Sequence, residues 1–220
     1  MGVMASQLRL YLVTDPELCA SYGIVDTVRD AVRGGATMIQ LRDKTGDAAE
    51  RIAVGRALLA ALEGTGVPLI VNDDIEAARA IGAHGVHVGQ SDCAPAMVRA
   101  QLGPDAIVGL SCETLAHVID ADPSVIDYVG IGPVFATATK PDHAAAMGLS
   151  ALAEARAATR LPAVAIGGIH LPNVAAVLAT GVDGVAVVSA ICGQTDPFTA
   201  TVALARTIAE SVSPSNRAYA

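Results

Sequence analysis

Lysine is nearly absent from this chain: twelve arginines carry most of its positive charge, and Lys44 and Lys140 are the only lysines. General solubility does not explain the pair, because arginine already supplies solvated charge on the helical stretches. Two compact ammonium groups kept at single places point to something anionic. Positive charge is also short overall, with 14 basic residues against 22 acidic ones and a formal charge of -8. Such a chain repels nucleic acid and anionic membranes, so small molecules are the expected partners. The four cysteines (Cys19, Cys93, Cys112, Cys192) show no C-x-x-C pair. Nothing in their spacing suggests a thiolate metal cage or a disulfide framework, and a reducing cytoplasm fits best. No run of about 18 apolar residues occurs, and "MGVMASQLRL" lacks a basic n-region and an apolar h-region, so neither membrane spanning nor secretion is expected. "MGVMAS" fits the myristoylation pattern, but nothing else points to a membrane. No Pro/Ser/Gly-rich linker divides the 220 residues, which predicts one domain over 1–220 with a flexible tail at about 212–220.

What the chain does have is a rhythm. Apolar β-rich runs recur at a spacing of about 27 residues, the size of a repeated βα module. The candidate strands are residues 8–15, 37–42, 68–72, 85–89, 106–111, 128–134, 163–168 and 184–189. Between them lie amphipathic stretches such as "AAERIAVGRALLAALEG", where Gly64 follows the last turn as a stop, and "LSALAEARAATR". Continuous apolar strands imply burial on both faces, as in a parallel sheet covered by helices. Eight units at this length predict an α/β chain closed into a (β/α)8 TIM barrel. The rival doubly wound sheet lacks its fingerprint, since "GIGPVF" has Phe135 at the third glycine position.

In such a barrel the chemistry sits at the C-terminal ends of the strands. Polar residues gather there in the sequence: Asp15, then Arg42 and Lys44, Asn72 and Asp73, Asp92, Ser111, Thr137 with Thr139 and Lys140, Gly167 and Gly168, and Ser189. In "QLRDK" the period of two along an extended chain puts Gln40, Arg42 and Lys44 on one side. Three such groups facing a barrel axis call for an anion.

In "NDDIEAARA", Asp73 and Glu76 also form a capping-box pattern for the next helix. Against that use stands Asp92, leaving the neighbouring strand about 4.8 Å away, so that the two acids can share one cation. Oxygen-only ligands suit Mg2+, which keeps waters and binds one or two carboxylates plus substrate phosphates. "AIGGI" and "VVSAI" end strands seven and eight, where barrels hold phosphate against backbone N–H groups and a helix N-terminus; the same glycines also suit a tight turn. The histidines (His84, His87, His117, His143, His170) show no metal or nucleophile spacing and are read as packing or surface residues. No poised general base is evident.

Taken in order, "LYLVTD", "IQLRDK", "VND", "GVHVGQSD", "VGLS", "VGIGPVFATATKPD", "AIGGI" and "VVSAI" resemble the thiamine phosphate synthase family from about residue 8 to residue 191. The resemblance implies a barrel transferase that joins 4-amino-2-methyl-5-hydroxymethylpyrimidine diphosphate to thiazole phosphate, with Mg2+, giving thiamine phosphate and pyrophosphate. It implies a cytoplasmic biosynthetic enzyme and leaves a homo-oligomer open. Carried over, it puts the pyrimidine diphosphate against Gln40, Arg42, Lys44, Asn72, Ser111 and Lys140, with Arg42, Lys44, Lys140 and Ser111 as the catalytic set. Mg2+ falls to Asp73 and Asp92, and the thiazole phosphate to Thr137, Thr139, Gly168, Val188 and Ser189. The two lysines would then flank a diphosphate leaving group.

Two departures stand out: Asp43, where the family often has glutamate, and Ala136, where proline is frequent. Asp43 is expected to face away from the site, and the alanine-rich "DHAAAMG" is expected to move without substrate. Two alternatives stay open, a thiazole tautomerase on the same barrel, which would not need the acid pair, and a barrel that merely binds a thiamine precursor.

Overall fold

The runs of Val, Ile and Leu do become eight strands. The computed structural model describes residues 4–137 and 145–212. A 3-10 turn, Ala5–Leu8, leads into β1, Leu10–Val13. The other strands are β2 Met38–Leu41, β3 Leu69–Asn72, β4 Gly85–Val88, β5 Ile107–Cys112, β6 Tyr128–Ile131, β7 Ala163–Ile166 and β8 Gly184–Val187. They form a closed barrel in sequence order, and β1 pairs parallel with both β2 and β8. Seven of the eight expected strands ran one or more residues beyond those found, and β5 is shifted by one residue at unchanged length.

Helices connect the strands: α1 Pro16–Cys19, α2 Ile24–Gly34, α3 Ala48–Ala61, α4 Ile75–Ile81, α5 Pro95–Leu102, α6 Leu115–Ile119, α7 Gly148–Ala157, α8 Val174–Leu178 and α9 Pro197–Val212. Alternate strand residues divide between two cores. Leu10, Leu12, Ile39, Leu41, Leu69 and Val71 pack outward against helix residues such as Val28, Leu58 and Leu204. Tyr11, Met38, Ile70, Tyr128, Val164 and Ala186 fill the barrel interior. Each fully buried aliphatic side chain contributes about 1.5–3 kcal/mol.

The two barrel ends differ in what their acidic residues do. On the face where strands begin, Asp127 accepts from Val108 N and pairs with Arg99 at 2.7 Å, while Asp183 accepts from Ala163 N and lies 3.4 Å from Arg156. Those acids fasten loops to strands. On the face where strands end, Asp15, Asp47 and Asp74 cap α1, α3 and α4. Asp73 and Asp92 are not among the caps.

Candidate active site

The extended path of β2 continues far enough for its period of two to hold. Gln40, Arg42 and Lys44 all line one pocket at the C-terminal end of the barrel. Gln40 is the deepest, 4% exposed, with Nε2 donating to Tyr11 Oη at 2.7 Å. Arg42 is fixed at its backbone, whose N–H donates to Thr14 Oγ1 at 3.1 Å. Lys44 Nζ crosses to β3 and donates to Asp73 Oδ2 at 2.5 Å. The intervening Asp43 turns away, as expected: its carboxylate accepts from the N–H groups of Thr45 and Gly46. Burial acts to raise the Asp43 carboxyl, but these donors and Arg51 outweigh it and hold the group below its usual value.

Asn72 and Asp73 end β3 in the same pocket. The capping-box reading of Asp73 with Glu76 is corrected. Asp74 is the N-cap of α4 and accepts from Ala77 N at 2.8 Å, while Glu76 pairs with Arg79 on the exposed surface. Asp73 sits at φ 60, a left-handed conformation that a non-glycine residue adopts at a cost of about 1 kcal/mol or more. That backbone turn hands the cap to its neighbour and leaves the Asp73 carboxylate in the mouth, bonded to Lys44 and to Asn72 Nδ2.

Asp92 follows β4 and accepts from Gly89 N at 2.7 Å. Burial pushes the Asp73 carboxyl up; Lys44 opposes this, and the facing Asp92 carboxylate pushes it higher. Two acids that repel each other at a pocket wall lined by a lysine and an arginine fit a divalent cation between them. Among the described residues no group of three or more His, Cys, Asp or Glu is arranged to hold a metal, and two carboxylates are what Mg2+ takes when water and phosphate complete its shell.

Arg51 on α3 gave no sign of a role in the sequence. It donates to the carbonyls of Asp43 and Gly46 and pairs with Asp74 at 2.7 Å. One guanidinium thereby ties the loop bearing Lys44 to the loop bearing Asp73.

On the opposite wall lie Gly168, Val188 and Ser189, with Thr137. Gly168 has φ 61, and a methyl there would meet the Ala136 carbonyl oxygen at 2.7 Å. The tight turn and the close approach therefore both require glycine. Asn173 Nδ2 donates to the Gly168 carbonyl at 2.9 Å and Gln194 Nε2 to the Ser189 carbonyl at 2.8 Å. The expected helix N-terminus at these strand ends is corrected. Ser189 enters a single turn, in which the N–H groups of Ile191 and Cys192 reach the Val188 carbonyl, and α8 starts only at Val174. Thr139, Lys140 and the first three residues of "DHAAAMG" (142–144) lie outside the described residues.

Ser111 on β5 completes the mouth; its Oγ is 2.9 Å from His87 Nε2 and its carbonyl accepts from Gln90 Nε2. Asp15 is the one expected strand-end acid that does not line the pocket, because it caps α1 through Leu18 N. Conversely, Tyr11, His87 and Glu113 line it without having been singled out. His87 was readable, since alternation in "GVHVG" puts it inward beside two valines that face out.

Comparison with known proteins bears on the family and the fold. The family described as Thiamine monophosphate synthase matches residues 10–191. A thiamine-phosphate synthase of Azorhizobium caulinodans is 44% identical over 96% of this chain and 97% of its own length. One from Xanthobacter autotrophicus is 49% identical over 90% and 93%. Among solved structures, a thiamine phosphate pyrophosphorylase from Pyrococcus furiosus superposes with a TM-score of 0.86 at 34% identity, covering 95% of this chain and 99% of its own. The chain belongs to the thiamine monophosphate synthase family.

Proposed function

We propose that the barrel mouth condenses 4-amino-2-methyl-5-hydroxymethylpyrimidine diphosphate with thiazole phosphate, releasing pyrophosphate and forming thiamine phosphate. The observation that carries this is the single wall formed by Gln40, Arg42 and Lys44, facing the glycine-lined wall of Gly168, Val188 and Ser189 across one pocket. Two anionic ends have two separate berths. The diphosphate lies against Arg42, Lys44, Asn72 and Ser111, joined by Lys140, and the thiazole phosphate lies against Thr137, Thr139, Gly168, Val188 and Ser189.

Asp73 and Asp92 would hold Mg2+, which when bound supplies positive charge to the diphosphate oxygens. Arg42 presents a fixed fork of donors, while Lys44 follows the leaving group on a flexible stem. The amino group of the pyrimidine pushes electrons toward the methylene carbon, so the carbon–oxygen bond breaks as charge gathers on the departing pyrophosphate. Groups that bind the departing charge more strongly than the resting diphosphate lower the barrier rather than only tightening the complex. The thiazole nitrogen then attacks the methylene carbon. None of these steps demands a strong general base.

This reading puts the enzyme in the cytoplasm, acting on small molecules, in keeping with the scattered cysteines and the acidic balance of the chain. Among the described residues no helix is long and apolar enough to cross a membrane. The test is to incubate the protein with both substrates, with and without Mg2+, and to follow pyrophosphate and the mass of the organic product. Thiamine phosphate and equimolar pyrophosphate are expected only with Mg2+. Release of no pyrophosphate would leave a tautomerase or a binding protein instead.

A further inference from the structure

Five polar side chains form an unbroken hydrogen-bonded chain across the barrel interior, directly beneath the mouth. Gln40 Nε2 donates to Tyr11 Oη at 2.7 Å. Tyr11 Oη lies 2.9 Å from Tyr128 Oη, which lies 3.0 Å from His87 Nδ1. His87 Nε2 lies 2.9 Å from Ser111 Oγ. Gln40, Tyr11, Tyr128 and His87 are all at least nine-tenths buried, and burial holds both phenols protonated.

The barrel makes room for this chain. Gly109 is the ladder partner of both His87 and Tyr128. A methyl at Gly109 would lie 2.4 Å from His87 Nδ1 and 2.3 Å from Tyr128 Cζ, so any side chain there would push the two rings apart.

A phenol owns one proton. With Gln40 Nε2 donating to Tyr11 Oη, the sense that keeps every proton inside the chain runs from Tyr11 to Tyr128 Oη and from Tyr128 to His87 Nδ1; the reverse sense leaves the Tyr11 proton to the pocket that Tyr11 lines. With Nδ1 accepting, the imidazole proton sits on Nε2 and is donated to Ser111 Oγ. A serine hydroxyl that accepts at one lone pair keeps its own proton for another partner, and Ser111 borders the pocket.

We infer that Gln40, Tyr11, Tyr128 and His87 act as a positioning relay that fixes the Ser111 hydroxyl as a proton donor into the pocket. Tyr128 does not line the pocket and works only through its neighbours. The relay rests on the reading of Ser111 as a contact of the diphosphate substrate. A donor oriented before that anion arrives needs no reorganisation as charge develops.

The test begins with nitrogen NMR of the imidazoles in the ligand-free protein, the His87 signals being identified by their loss in His87→Gln. The expected result is one tautomer, with the proton on Nε2; a proton on Nδ1 would overturn the inference, whether or not the protein turns over substrate. Tyr128→Phe should mix the tautomers and lower kcat/KM about tenfold, the scale of one hydrogen bond. In a Ser111→Ala background the same change should cost almost nothing further, because the relay has lost its object. An undiminished penalty in that background would mean that Tyr128 only supports the fold, and the relay would be rejected.

Discussion

Lys44 Nζ and Asp73 Oδ2 form an ion pair at 2.5 Å that joins the loop after β2 to the loop after β3. Lys44 is half-exposed, so the pair adds little to stability. Its meaning lies in charge: while Asp73 holds Lys44, part of the lysine's charge is withheld from any other anion. A cation on Asp73 would release it.

That relation gives an expectation of opposite signs. Without Mg2+, Asp73→Asn should bind pyrophosphate about three- to fivefold more tightly than the unaltered protein, since one repelling charge of about 1 kcal/mol is gone. With saturating Mg2+ the order should reverse, because a ligand of the ion is missing. Calorimetry under both conditions checks this; weaker binding in both would place Asp73 outside the metal site.

Arg51→Met should loosen both loops at once. The Arg51–Asp74 pair is largely shielded, with side-chain exposures of 17% and 28%, and the carbonyls of Asp43 and Gly46 lose their donor with it. A loss of about 1–2 kcal/mol is expected, which lowers Tm by about 2–8 °C in a chain of this size. Because Lys44 and Asp73 sit on those loops, kcat/KM should fall even at temperatures where the protein remains folded. Thermal unfolding and kinetics on the same preparation separate the two effects, and an unchanged kcat/KM would show that the tie serves stability alone.

Much of this was legible in the sequence, and for identifiable reasons. The β2 wall could be read because alternation is local: Gln40, Arg42 and Lys44 share a side as long as the chain stays extended. The eight-strand rhythm could be read because each buried strand is a short apolar run. The cap of α4 was misplaced by one residue because "NDD" offers two aspartates, and only the φ of 60 at Asp73 decides between them. The relay was not legible, since its bonds join residues 117 and 41 positions apart and exist only once the barrel has closed. Arg51 was hidden for a similar reason, as its partner Asp74 is 23 residues away.

Ser189→Asp should weaken the thiazole phosphate selectively, by about tenfold or more, because a carboxylate on that wall repels a phosphate. Titration of each substrate separately checks the assignment of the two walls. If the pyrimidine diphosphate weakens instead, the two ends of the mouth are exchanged.

Lys140→Ala should lower kcat on the order of a hundredfold, the scale of one lost preorganised charge contact. Substrate affinity should change less, as the charge it answers grows only during reaction. Steady-state kinetics with both substrates varied checks this, and an effect confined to KM would make Lys140 a binding residue only.

The most direct test of a mouth that works by holding departing charge is single-turnover kinetics with altered pyrimidines. Replacing the pyrimidine methyl by an electron-withdrawing group removes electron density from the methylene carbon without touching Arg42, Lys44 or Lys140. The expected result is a slower chemical step, falling further as the group withdraws more strongly. A step that accelerates with withdrawing groups would mean that the thiazole nitrogen attacks before pyrophosphate leaves, and would contradict the mechanism.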